Sequence, residues 1–157
     1  MAAGGSESPV RLAAETWESL FRAQVAVMRK LQSAPAFRKL ALNEYDVLFT
    51  LSRCPSGWLR LNELNDNVLL SQSSLSRLVE RLEKRGLVAR MTAPEDGRGV
   101  LLKLTDEGRE LQKEIGREHV RDISALVGPA LTAAEQKELM RLTDKLRNSL
   151  GPLPRKR

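Results

Sequence analysis

A chain of 157 residues is long enough for one domain with a real core, and 41% hydrophobic with 29% charged residues is a globular composition. No apolar run approaches the roughly 18 residues of a membrane span, and the opening MAAGGSESPV has neither the basic start nor the apolar centre of a secretory signal. The single cysteine, Cys54, excludes an internal disulfide framework and fits a reducing cytoplasm, while the formal charge of +6 points to an anionic partner.

Charge alone does not decide the partner. Arg155, Lys156 and Arg157 supply half of the net charge, and residues 71–98 carry six cations against four acids. Motifs must decide.

In chain order, residues 1–9 are rich in Gly, Ser, Ala and Pro and are predicted disordered. From Leu12, the apolar positions Trp17, Leu20, Phe21, Val27, Met28 and Leu31 keep a three-to-four spacing, which predicts one amphipathic helix ending before Pro35. LNEYDVLFTL predicts a second helix, with Asn43 as candidate N-cap. CPSG breaks it, and WLRL is a short edge strand. NELNDNV is a short helix, LLS a turn, and Ser71–Lys84 a long helix closed by Gly86.

The period then changes. LVARM and VLLKL predict two strands joined by the turn-rich TAPEDGRG. Thr105 caps the next helix, with Asp106 and Glu107 favouring its positive end, and that helix runs to about Val127 before Gly128-Pro129. Thr132 and Glu135 form a capping box. The last helix carries Leu139, Leu142, Leu146 and Leu150 on one stripe.

The expected fold is mainly α with a small β-hairpin wing. Residues 42–104 form a winged helix-turn-helix domain, 10–41 an N-terminal dimerisation helix and connection, 105–150 C-terminal dimerisation helices, and 151–157 a basic disordered tail. The outer helices each show an apolar stripe that must be buried somewhere. Pairing with a second copy is the economical solution.

The helix that opens SQSSLSRLVERLEK holds four serines in six positions, although serine is a mediocre helix former. At 100° per residue, Leu75, Leu78, Val79 and Leu82 share one face, and Ser73, Arg77, Glu80 and Lys84 lie opposite. Ser74 and Arg81 flank that outer face on one edge and Ser76 on the other. The first two turns thus present hydroxyls, the Gln72 amide and the Arg77 guanidinium, groups suited to base edges and phosphates in a major groove. A short helix and a turn come before, so Ser71–Lys84 reads as the recognition helix of a helix-turn-helix. The bland alternative makes Ser71 a simple N-cap and the others solvated, and Glu80 is an acid in an awkward place for DNA. In the hairpin, Arg98 is in position to reach an adjacent minor groove, with Asp96 to hold its guanidinium. The bland alternative there is a solvated loop.

From Leu42 to Leu111 the chain resembles the MarR family of winged helix-turn-helix regulators, through SQSSLSRLVERLEKRGLV and APEDGRGVLLKLTDEGREL. The Asp-x-Arg wing followed by LTDEG is the most specific part. The resemblance implies an intertwined homodimer that binds pseudo-palindromic promoter DNA, usually as a repressor, with a small anionic or phenolic effector in many members. It also implies that Arg98 is the wing-tip arginine, Asp96 its orienting partner, and Ser71, Gln72, Ser73, Ser74 and Arg77 the DNA-contacting helix positions. A departure is Asn65-Asp66-Asn67, where such proteins commonly have a more helical run.

Other residues invite functional readings. Cys54 is read as structural or incidental, not redox-sensing. His119 is read as paired with Asp122 at a dimer seam. Trp17, Phe21 and Met28 are either core or effector contacts. No phosphate-binding glycine loop, nucleophile with a histidine base, or metal cluster is present, so no enzyme and no cofactor is expected. The alternative to a DNA-binding repressor is a winged-helix protein–protein adaptor.

Overall fold

Pro9 stands in the first turn of helix α1 (Pro9–Gln32), where its missing N–H costs nothing. The computed structural model describes residues 8–66, 68, 70–95 and 97–151. After α1 a single 3-10 turn, Pro35–Arg38, leads to α2 (Leu42–Ser52). Asn43 does not cap α2. The N-cap is Ala41, whose backbone N–H donates to Glu44 Oε2 at 3.1 Å. Glu44 thus does from the third helical position what a capping side chain would otherwise do.

Strand β1 (Trp58–Arg60) passes directly into α3 (Leu61–Asn65), which is shorter than NELNDNV suggested. Helix α4 (Gln72–Lys84) follows, then β2 (Val88–Thr92) and β3 (Val100–Leu104). The three strands form one antiparallel sheet in the order β1-β3-β2, with Trp58 opposite Lys103 and Val88 opposite Leu104. Along β3, Leu102 and Leu104 are buried and Lys103 is exposed, the alternation of a sheet covered on one face. Two long helices complete the chain, α5 (Asp106–Val127) and α6 (Ala133–Ser149).

The core lies under α4. Val47 and Leu48 from α2, Leu64 from α3, Leu75 and Leu82 from α4, and Leu102 from β3 have no solvent exposure at all. Truncating one of these leucines to alanine costs about 2–5 kcal/mol, so the orientation of α4 is strongly fixed.

One seam joins three elements. Gly86, at φ +72°, ends α4 by sending its N–H to Glu83 O at 2.9 Å, while Leu87 N–H reaches Leu82 O at 3.0 Å. Thr105 Oγ1 donates to Gly86 O at 2.6 Å and accepts from Gly108 N–H at 3.0 Å, and Thr105 N–H donates to Leu87 O at 3.2 Å. A side chain at Gly108 would run into the Leu87 carbonyl. Helix α4, the wing and α5 therefore meet within bonding distance of one threonine.

The outer helices behave differently from the core. Trp17 and Phe21 stack at 5.9 Å between centroids but are 62% and 49% exposed, so within one chain they are not core; Met28, further along α1, does pack against it. Leu139, Leu142, Leu146 and Leu150 are all about half exposed or more. Among the described residues, no helix is long and apolar enough to cross a membrane.

Candidate nucleic-acid interface

Ser71 is the N-cap of α4, and its side chain accepts from Ser74 N–H. Leu75, Leu78, Val79 and Leu82 are buried as the helical wheel required. Ser71, Gln72, Ser73, Ser74 and Arg77 are all exposed, and Ser76 is half-buried. The hydroxyls of Ser71, Ser73 and Ser74 form one cluster, with Ser71 Oγ 3.2 Å from Ser73 Oγ and 2.8 Å from Ser74 Oγ. With serines at 71, 73 and 74 around Gln72, this first turn lets a ligand come close to the backbone at those positions.

The wing rises beside it. Ala93 N–H bonds Gly99 O at 2.7 Å and Gly97 N–H bonds Ala93 O at 3.1 Å, with Gly97 at φ +64°, so the loop between the strands is tightly closed. Arg98 is exposed at its tip. Asp96, expected to orient Arg98, lies outside the described residues. Residues distant in the chain converge here: Arg60, Leu61, Asn62, Gln72, Arg98, Gly99 and Val100 line one concave pocket of about 220 Å³. Gln72 of the helix and Arg98 of the wing thus share one surface.

Two charged groups escaped the sequence reading. Arg60, at the end of β1, reaches across to Glu95 in the wing at 3.2 Å. Glu44, buried on α2, holds Arg81 at 3.5 Å and Arg85 at 3.4 Å. Glu44 carried a local signal, an acid in a first helical turn, but its arginine partners come from another helix.

The remaining candidates are now placed. The Cys54 thiol lies 3.3 Å from both Ser56 Oγ and the Trp58 carbonyl, inside a turn. His119 is not hydrogen-bonded to Asp122 through Nδ1, because that atom is buried without a partner. Its ring instead stands edge-on to Phe37 and Tyr45, at 5.0 and 5.3 Å between centroids. Burial holds its pKa below the ordinary value, against the opposing pull of Asp46 and then Asp122. Among the described residues no group of three or more His, Cys, Asp or Glu side chains is arranged to hold a metal.

The family model described as MarR family matches residues 39–99, the span from just after the 3-10 turn to the loop before β3. The HTH-type transcriptional repressor Mb2911 of Mycobacterium bovis is 31% identical over 127 residues, covering 81% of this chain and 89% of that protein. The chain belongs to the MarR family. Among solved MarR-family structures, Sco3205 from Streptomyces coelicolor in complex with DNA superposes with a TM-score of 0.76 at 30% identity, over 88% of this chain and 91% of that one. BpsR from Bordetella bronchiseptica, described by a mechanism for regulation of its DNA binding by 6-hydroxynicotinic acid, superposes with a TM-score of 0.74 at 26% identity, over 85% of this chain and 98% of that one. The winged-helix fold is that of the MarR family, whose members are transcriptional regulators and not enzymes.

Proposed function

We propose that the protein is a cytoplasmic repressor that binds a pseudo-palindromic promoter operator as a homodimer. The observation that carries this reading is the shared concavity of Gln72 and Arg98, which presents a helix terminus and a wing arginine to one ligand. On this reading α4 enters the major groove. Ser71, Gln72, Ser73, Ser74 and Arg77 contact base edges and phosphates, and Arg98, oriented by Asp96, takes the adjacent minor groove. The structure of Sco3205 with DNA supports the mode of binding.

Residues 42–104 are then the DNA-binding domain, and 10–41 with 105–150 the dimerisation helices. The half-exposed stripe Leu139, Leu142, Leu146 and Leu150, with Trp17 and Phe21, supplies the apolar surface a second copy would cover. A dimer presents two recognition helices about 34 Å apart, one turn of DNA. A small anionic or phenolic effector would lower affinity by favouring a different spacing, as any ligand with unequal affinity for two arrangements does. BpsR, whose DNA binding responds to a hydroxylated aromatic acid, supports this part.

Fluorescence anisotropy with duplexes tiled across the DNA upstream of the protein's own gene tests the reading. Tight, salt-dependent binding to one near-palindromic tile is expected. Failure to bind any duplex at low salt would favour the protein–protein adaptor, for which the exposed acid Glu80 on the outer face of α4 is the supporting feature.

A further inference from the structure

Glu44 is the one buried charged side chain among the described residues. A carboxylate in that position must be compensated by donors or it would be strongly destabilising. Three groups do so. Ala41 N–H donates to Oε2 at 3.1 Å, Arg85 Nη1 lies 3.4 Å from Oε2, and Arg81 Nε lies 3.5 Å from Oε1. Arg85 is gripped a second time, through Nη2 to the Lys39 carbonyl at 2.8 Å.

Both arginines belong to the recognition helix or its cap. Arg81 follows Ser74 by seven residues on the same edge of α4 and Arg77, on the adjoining outer face, by four. Its side chain is 56% exposed and that of Arg85 is 41% exposed. Without Glu44, Arg81 would have no acid to hold it on the flank of the proposed DNA surface and Arg85 would keep only the Lys39 carbonyl, so both long cations could swing to phosphates. Phosphate contacts supply nearly all sequence-independent affinity, and a regulator is useful only through the ratio of specific to non-specific binding.

We infer that Glu44 is a specificity-determining residue: it keeps Arg81 and Arg85 from DNA phosphates and so holds down non-specific binding. The inference rests on the DNA-binding reading above. It assigns Glu44 a role distinct from stabilising the fold, one read from a change in the salt dependence of binding that requires Arg81 and Arg85.

The test uses the full chain, a random-sequence 30-base-pair duplex and anisotropy across a salt series. Glu44→Gln is nearly isosteric and keeps an oxygen for Ala41 N–H. It should steepen the slope of log K against log salt by about 0.9–1.8, the signature of one or two new phosphate contacts, and tighten random-duplex binding several-fold. Adding Arg81→Gln and Arg85→Gln should return the slope to that of the wild type. An unchanged slope in folded Glu44→Gln, or a steepening that survives loss of both arginines, overturns the inference. Arg81→Gln/Arg85→Gln in the wild-type background, used only if circular dichroism shows it folded because it leaves the Glu44 carboxylate without its cations, provides a check that needs no change at Glu44. Its slope should match the wild type, and a slope shallower by about 0.9 or more would mean the arginines already bind phosphate. Lack of preference for any upstream tile over the random duplex would sink the regulator reading instead, and leaves the slopes to judge Glu44.

Discussion

Ser71 and Ser74 are joined twice. The Ser71 hydroxyl accepts the Ser74 backbone N–H at 3.2 Å and donates to the Ser74 hydroxyl at 2.8 Å. The serines at the start of α4 therefore have two duties, closing the first turn and presenting hydroxyls outward. Substitution separates them. Ser71→Ala should cost about 1 kcal/mol through loss of the cap, lowering Tm by about 2–4 °C for a chain of this size. Ser71→Asp restores a capping acceptor and should recover Tm, while its negative charge weakens DNA binding. Recovery of both properties by Asp would show that position 71 faces no phosphate.

Arg98→Ala should leave Tm close to that of the wild type, because the side chain is exposed at the wing tip. Operator binding should weaken at least tenfold, about 1.4 kcal/mol, measured by anisotropy on the tile that the wild type prefers. A sharp fall in Tm would make Arg98 a structural residue of the wing.

His119 should make stability depend on pH. Burial lowers its pKa, although Asp46 and Asp122 pull the other way, so the folded protein takes up this proton less readily than the unfolded chain. The neutral ring's contribution is complete above the unfolded value near 6.5 and is lost as pH falls from there toward the lower folded value. Asp46, raised by its own burial, acts in the opposite sense, but in the carboxylate range at lower pH. Tm of the wild type should thus drop more between about pH 7.5 and about pH 5.5 than that of His119→Phe, whose ring suits the pocket made by Phe37 and Tyr45. Parallel pH profiles would remove His119 from the account.

Leu142→Glu/Leu146→Glu should convert a dimer to a monomer in light scattering coupled to gel filtration. Both leucines are nearly half exposed in the single chain, so the folded domain around residues 42–104 should keep its circular dichroism. DNA affinity should fall steeply, since one half-site alone remains. A dimer that survives both changes would place the interface elsewhere.

How far the sequence could be read depended on the range of the interaction. Ser71, Thr105 and Thr132 were legible as caps because a cap bonds a backbone group three residues away. The face of α4 was legible because Leu75, Leu78, Val79 and Leu82 repeat with the helical period. Asn43 misled because its residue type suits a cap, whereas the side chain of the next residue, Glu44, already satisfies the turn's leading N–H from within the helix. His119 misled for a related reason. Asp122 lies one turn away, but the imidazole is drawn to aromatic rings from the 3-10 turn and α2, a tertiary choice with no local trace. The Glu44 cluster and the Gln72–Arg98 pocket were invisible as units because each joins elements far apart in the chain.

The seam at Thr105 has a mechanical meaning. Gly86, Leu87, Thr105 and Gly108 are bonded or packed so closely that the end of α4 and the foot of the wing are fastened to the first turn of α5. Helix α5 has 22 residues, about 33 Å at 1.5 Å per residue, so a tilt of about 5° about its far end swings the fastened end by about 3 Å. With the pivot at the far end, the fastened block rides at the tip of a lever as long as the helix itself. On the function proposed above, a small molecule wedged near the pivot would not need to touch or deform that block to carry it out of step with the turn of the double helix.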